Sequence, residues 1–65
     1  MVMQPRAVAT RELILDIATE LFRDIGYGNT SLAEIIERCR VTKGAFYYHF
    51  SGKEAVAAAL IEEAD

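Results

Sequence analysis

The chain has 65 residues, room for one small domain, and a composition that is 52% hydrophobic and 26% charged, which excludes a disordered tail. Its formal net charge is −3, and no apolar run reaches the ~18–20 residues that cross a bilayer, which excludes a membrane-spanning helix. The lone Cys39 excludes an internal disulfide and offers no zinc-ligand spacing.

The periodicity is helical throughout, with no repeat and no low-complexity tract. Met1 to Thr10 has no apolar core of the secretory kind, so the expected location is cytoplasmic, with no membrane partner. Ile14, Ile17, Ala18, Leu21, Phe22 and Ile25 then recur at three- and four-residue steps and predict one apolar stripe on a first helix. Its opposite face carries Glu12, Asp16, Glu20, Arg23 and Asp24. Gly26 and Gly28 bracket Tyr27 and supply the permissive backbone that ends such a helix.

Asn29-Thr30-Ser31 follows, rich in N-cap residues, and Ser31 with Glu34 has capping-box spacing. A second, short helix is expected from about Leu32 to Cys39, burying Leu32, Ile35 and Ile36. Cys39 reads as a small buried side chain near that helix's end. Val41 and Thr42 reopen the chain, and Thr42 is the expected N-cap of a third helix running through Phe50. Gly44 lies inside that helix, where it costs about 1 kcal/mol relative to Ala. Ser51 and Gly52 break it. A fourth helix starts near Lys53 with Ala55, Val56, Ala59, Leu60 and Ile61 on its inner face. No stop signal follows, which predicts that the parent protein continues. The expected fold class is all-α, a small four-helix unit.

Two short helices joined by a three- or four-residue turn make a helix-turn-helix, whose second helix places its first residues in the DNA major groove. Ile35, Cys39, Val41 and Phe46 are spaced to share one small core, which leaves Thr42, Lys43, Gly44, Ala45, Tyr47 and Tyr48 outward. Charge agrees locally. Arg38, Arg40, Lys43 and Lys53 span a stretch with His49 and no carboxylate, while every acid lies outside it. A phosphate responds to charges within about a Debye length, not to the sum over the domain. The rival reading of such a run is a solvated face.

These pieces occur in a recognisable order: Ala18-x-x-Leu21-Phe22, Gly26-Tyr27, Thr30-Ser31, Val41-Thr42-Lys43-Gly44-x-Phe46-Tyr47-x-His49-Phe50 and Lys53-Glu54. From Ile14 to Leu60 the chain resembles the N-terminal, homeodomain-like DNA-binding domain of TetR-family repressors. Arg6-Ala7, Thr10-Arg11 and the Val-Thr-Lys-Gly-Ala segment look most like its γ-butyrolactone-receptor branch, whose members regulate antibiotic biosynthesis. The family usually has glycine in the turn, where this chain has Arg40; a positive φ there would cost about 1 kcal/mol. It also usually has a small residue where Ile36 stands.

Candidate roles follow. Lys43, in the first turn of the third helix, is placed to donate to guanine O6 and N7, and Ala45 to touch a thymine methyl. Gly44 lets the helix backbone approach DNA closely, unless it is merely a tolerated weak spot. Thr42, and Thr30 or Ser31 at the second helix's start, combine hydroxyl, backbone N–H and helix dipole for a phosphate, a role compatible with simple capping. By resemblance, Tyr47 and His49 contact phosphate and Lys53 anchors one; the alternative for His49 is half-buried packing near Phe50. Tyr48 faces outward towards sugar or base, and Arg6 and Arg11 reach for the backbone or the minor groove. Phe46 and Phe50 are read as core and not as base-stacking residues.

The resemblance implies residues 1–65 as a DNA-binding domain, with the helix-turn-helix at about 31–50 and the start of a connecting helix at about 53–65. On the same resemblance, the C-terminal ligand-binding and dimerisation domain of such proteins is expected to be absent from these 65 residues. It further implies a homodimer in the full-length protein, a monomer for this piece, a palindromic double-stranded DNA operator, and a small-molecule effector acting through the missing domain. The alternative function is a helical protein-interaction module with the aromatic third helix docked in a partner's groove. One histidine, no placed nucleophile and no room for a pocket give no expectation of an enzyme, a cofactor or a metal site.

Overall fold

The computed structural model describes residues 5–63, with side chains from Val8 onward, and all its regular structure is helical. Helix α1 (Pro5–Asp24) opens on a proline, whose missing N–H is no loss in a first turn that lacks helical acceptors. It ends because Gly26 adopts φ 91, ψ 149, a conformation L side chains rarely enter. Gly28 does not share that role: among the described residues Gly26 is the only glycine with positive φ. A 3-10 turn over Tyr27–Asn29 follows, and its polar groups are bonded locally. The Asn29 side-chain amide donates to Ile25 O (2.8 Å), and Thr30 Oγ1 donates to Gly26 O (2.8 Å).

Helix α2 (Leu32–Cys39) is capped by Ser31, whose Oγ accepts from Glu34 N at 3.0 Å. Only this half of the expected capping box forms; among the described residues Glu34 makes no return bond. Helix α3 (Lys43–His49) begins as expected, with Thr42 Oγ1 accepting from Ala45 N at 3.0 Å. It stops one residue early, since Phe50 is extended (φ −141, ψ 140) while its N–H still donates to Phe46 O. Helix α4 (Lys53–Glu63) completes the described chain.

Each helix contributes to one core: Ile14, Leu15, Ala18 and Leu21 from α1, Ile35 and Cys39 from α2, Phe46 from α3 with Phe50 just beyond it, and Val56 and Ala59 from α4. Ile17, Phe22, Leu32, Ile36, Val41, Ala55 and Leu60 pack around it, half-buried. Two of the stripe assignments change. Ile25 is 41% exposed and lies past the last helical residue, while Leu15, outside the expected stripe, is buried. Ile61 is 75% exposed, not on the inner face of α4. The turn between α2 and α3 is made by Arg40 in the left-handed region (φ 58, ψ 37), its N–H bonded to Glu37 O. An arginine there costs about 1 kcal/mol relative to glycine.

Two long-range polar contacts tie the helices. Arg11 on α1 donates to Glu63 on α4 at 2.6 Å, and its guanidinium lies 5.5 Å from the centroid of the Phe50 ring. That hydrogen bond raises the Arg11 pKa and holds the Glu63 carboxyl below its ordinary value. Lys53, at the start of α4, donates to Tyr27 O (2.8 Å) and Thr30 O (2.9 Å) and sits 4.1 Å over the Tyr27 ring.

Ile35 has no exposed surface, so Ile35→Ala should cost about 2–5 kcal/mol. In so small a domain that is a large share of the total, and the cooperative thermal transition followed by circular dichroism should move far down or vanish. The Glu63 contact has a pH signature. A depressed carboxyl pKa stabilises above the unfolded value and loses that contribution as pH falls through the folded one. The Tm gap between wild type and Glu63→Gln should therefore be open at neutral pH and close below about 4.5, the carboxyl's ordinary value; a gap unchanged between neutral and acid pH would remove the ion pair from the account.

Candidate nucleic-acid interface

Helix α3 is fixed from below. Phe46 is fully buried and stacks obliquely on Phe50 with centroids 6.0 Å apart, so both phenylalanines belong to the core, as their spacing implied. With that face committed, the 3.6-residue period sets the others. Lys43 and Tyr47 share one row four residues apart, and Gly44 and Tyr48 the next. Thr42, Lys43, Gly44, Tyr47 and Tyr48 are all exposed, while Ala45 and His49 are half-buried at the edge.

The two tyrosines differ. Tyr47 is half-exposed with its ring edge-on to Phe46 (5.5 Å, 90°), so contact with the core orients a side chain that is still open to solvent. Tyr48 is 80% exposed and is held only at its own surface, edge-on to His49 at 4.9 Å. His49 in turn lies 6.4 Å from Phe50, which places it between the core and the exposed row. Gly44 has an open flank: a Cβ built there would meet nothing nearer than Thr42 Oγ1 at 3.9 Å. No packing demand inside the protein explains the absence of a side chain at that position.

The remaining candidates fall into three groups. Ser31 is exposed, and Lys53 brings the start of α4 against the start of α2 through its bond to Thr30 O, so the Ser31 cap and Lys53 are neighbours. Lys53 commits two of its three N–H donors to the Tyr27 and Thr30 carbonyls and keeps one for a further acceptor. Thr30 itself is 2% exposed and spends its hydroxyl on Gly26 O, so in this conformation it orders the turn. Arg11 is paired with Glu63 in the same conformation. The side chain of Arg6 lies outside the described residues. Arg40, one of the cations of the carboxylate-free stretch, occupies the turn with a positive φ of 58.

Along the stretch that holds α3 the charged side chains are all cations. Arg38, Arg40 and Lys43 are exposed, no carboxylate occurs from Arg38 to Lys53, and among the described residues the only ion pair is Arg11–Glu63. Other chemistry has little to work with. Among the described residues no cluster of three His, Cys, Asp or Glu side chains is placed to hold a metal ion. Burial pushes the Cys39 thiol pKa up, away from the thiolate a nucleophile requires. An open groove between α1 and α4, lined by Leu15, Thr19, Phe22 and Leu60 among others, contains no acid–base pair with a nucleophile. No described helix is long and apolar enough to cross a membrane.

Comparison with known proteins agrees with this geometry. Residues 14–60 match the family described as bacterial regulatory proteins, tetR family. The chain is 48% identical over 63 residues to the A-factor receptor protein of Streptomyces griseus, covering 97% of this chain and 23% of that protein. It is 39% identical over 59 residues to the HTH-type transcriptional regulator UidR of Escherichia coli K12, covering 91% of this chain and 30% of that protein. It is also 49% identical over 47 residues to the HTH-type transcriptional regulator AcrR of Shigella flexneri, covering 72% of this chain and 22% of that protein. The chain thus spans between about a fifth and a third of the length of these relatives, and the family match over residues 14–60 holds all of α2 and α3. With the family match running from the core of α1 to Leu60 of α4, this chain belongs to the tetR family of bacterial regulatory proteins.

Proposed function

We propose that this chain is the DNA-binding head of a transcriptional regulator, a repressor that reads a near-palindromic operator with α3 in the major groove. The observation that carries the reading is the division of α3 into two faces. Phe46 is sealed into the core, while Thr42, Lys43, Gly44, Tyr47 and Tyr48 stand exposed within a stretch free of carboxylates.

Lys43, in the first turn, donates to guanine O6 and N7 at the groove floor, with Ala45 beside it for a thymine methyl. Gly44 brings the backbone close to the base edges. Tyr47, His49 and Thr42 donate to phosphate oxygens, as does the free N–H of Lys53 beside the Ser31 cap, and Tyr48 reaches sugar or base. Thr30 supports this set from inside the turn. Arg11 joins it only when released from Glu63, and Arg6 completes the N-terminal basic pair.

In the full-length protein we place a second copy of this head about 34–36 Å away, in the next major groove, through dimerisation by a C-terminal domain. A small molecule bound to that domain shifts α4, changes the separation of the heads and releases the operator. The 48% identity to the A-factor receptor protein supports a place in the γ-butyrolactone-receptor branch that the sequence resembles, and a γ-butyrolactone-type effector follows from that resemblance. The cytoplasm is the location that fits such a role. The competing reading, a protein-interaction module docking through α3, loses its two largest anchors because Phe46 and Phe50 are buried.

The test is binding of wild type, Lys43→Ala and Tyr47→Phe to duplexes enriched by the protein from a random pool, each titrated with salt. Affinity should fall steeply with salt. Lys43→Ala should lose about 1–3 kcal/mol of discrimination between the enriched and a scrambled sequence, and Tyr47→Phe should weaken both alike. The isolated chain should sediment as a monomer. Absence of duplex binding at low salt, both in the chain and in a version fused to a dimerising coiled coil, would overturn the reading and give the interaction module the lead.

A further inference from the structure

Among the described residues, Arg40 is the only non-glycine with positive φ. In the left-handed region a Cβ crowds the following carbonyl, and natural turns resolve the clash with Gly, or with Asn. Either residue would close α2 through the same N–H bond to Glu37 O. Among the described residues no polar or cation–π contact rewards the long side chain instead. Arg40 is exposed, and among the described residues its guanidinium takes no part in an ion pair, a side-chain hydrogen bond or a contact over an aromatic ring. Backbone strain of this kind persists where the residue serves something outside its own packing.

Its place indicates what that is. Arg40 stands two residues before the Thr42 cap and three before Lys43, with Arg38 in the last turn of α2 and no carboxylate from there to Lys53. Arg40 is thus an exposed cation next to the first turn of α3 along the chain, where a polyanion seated on that turn would find it close by. A guanidinium presents a planar fork of donors that matches two phosphate oxygens at once. Resting on the reading of α3 as the recognition helix, we propose that Arg40 is a phosphate-binding residue of the DNA interface, clamping a backbone phosphate beside the groove that α3 enters. The left-handed turn is the cost of having a cation where glycine would be more stable.

This assignment makes stability and binding move in opposite directions. Arg40→Gly and Arg40→Asn should each raise Tm by a few degrees, since both residues accept the turn's backbone. Titrated against a short mixed-sequence duplex between about 50 and 200 mM salt, both variants should bind about three- to tenfold more weakly than wild type. The slope of log K against log salt should be shallower by about 0.9, the share of one phosphate contact. Arg40→Lys should keep most of the slope, because it keeps the charge. Arg23→Gln removes one positive charge from the α1–α4 groove and should leave both affinity and slope as in wild type. Wild-type affinity and slope in Arg40→Gly would overturn the proposal. So would an equal loss in Arg23→Gln, which would reduce the effect to overall charge. If wild type itself binds no duplex, the DNA-binding reading fails first and takes this residue's role with it.

Discussion

Phe46 has no exposed surface, and the buried cluster it belongs to draws on α1, α2 and α4 as well as its own helix. A chain of 65 residues has apolar surface for one such cluster and no second. The placement of every exposed residue on α3 follows from it. Once the ring is inside, helical geometry turns Lys43, Gly44, Tyr47 and Tyr48 outward without further instruction. The two caps complete the arrangement. Ser31 and Thr42 each hold an amide at the start of a short helix, and short helices depend on such help because their own hydrogen bonds are few. The geometry of the candidate interface is thus a by-product of core packing.

The cations divide by employment. Arg11 and Lys53 are bound within the protein, one across to Glu63 and the other to two turn carbonyls. Lys43 and Arg40 have no such partner among the described residues. Lys53 also has a mechanical meaning. Its two hydrogen bonds join the first residue of α4 to the turn that leads into α2, so the start of α4 moves only together with that turn or by breaking both bonds. The far end of α4 is linked to α1 by one exposed ion pair, a contact that water and salt weaken. Of its two ends, the start is therefore the more firmly held.

Most of the fold was legible in local chemistry. The Gly26 stop, the Ser31 and Thr42 caps and the break at Ser51-Gly52 are each decided within four residues, and each appears where the sequence placed it. The exposure of Ile25 and the burial of Leu15 were not legible. Ile25 fits the stripe but lies just past the residue at which α1 stops, and Leu15 stands beside the stripe, where packing and not periodicity decides its burial. The inward turn of Thr30 and the partners of Arg11 and Lys53 were equally hidden. Those two cations reach acceptors 52, and 26 or 23, positions away, and no periodic pattern encodes such a choice. For the candidate interface, the outward residues of α3 could be read from spacing. The left-handed backbone of Arg40 was open only as a possibility, because the sequence states which residue stands in a turn and not the φ it adopts.

The open flank of Gly44 has a consequence for how such a domain diversifies. Its neighbours on the outward rows, Lys43 and Tyr48, are exposed, and a methyl group at position 44 meets only ordinary van der Waals contact with Thr42. Substitutions at Lys43, Gly44 and Tyr48 leave the core untouched, whereas Tyr47 packs edge-on to Phe46, so these three outward positions are free to change while the scaffold that presents them stays the same. Descendants of one such head can drift apart in what they read without passing through an unfolded intermediate sequence. The same separation makes these three positions a natural set for randomisation in a laboratory search for new binding preferences, with the buried phenylalanines held constant.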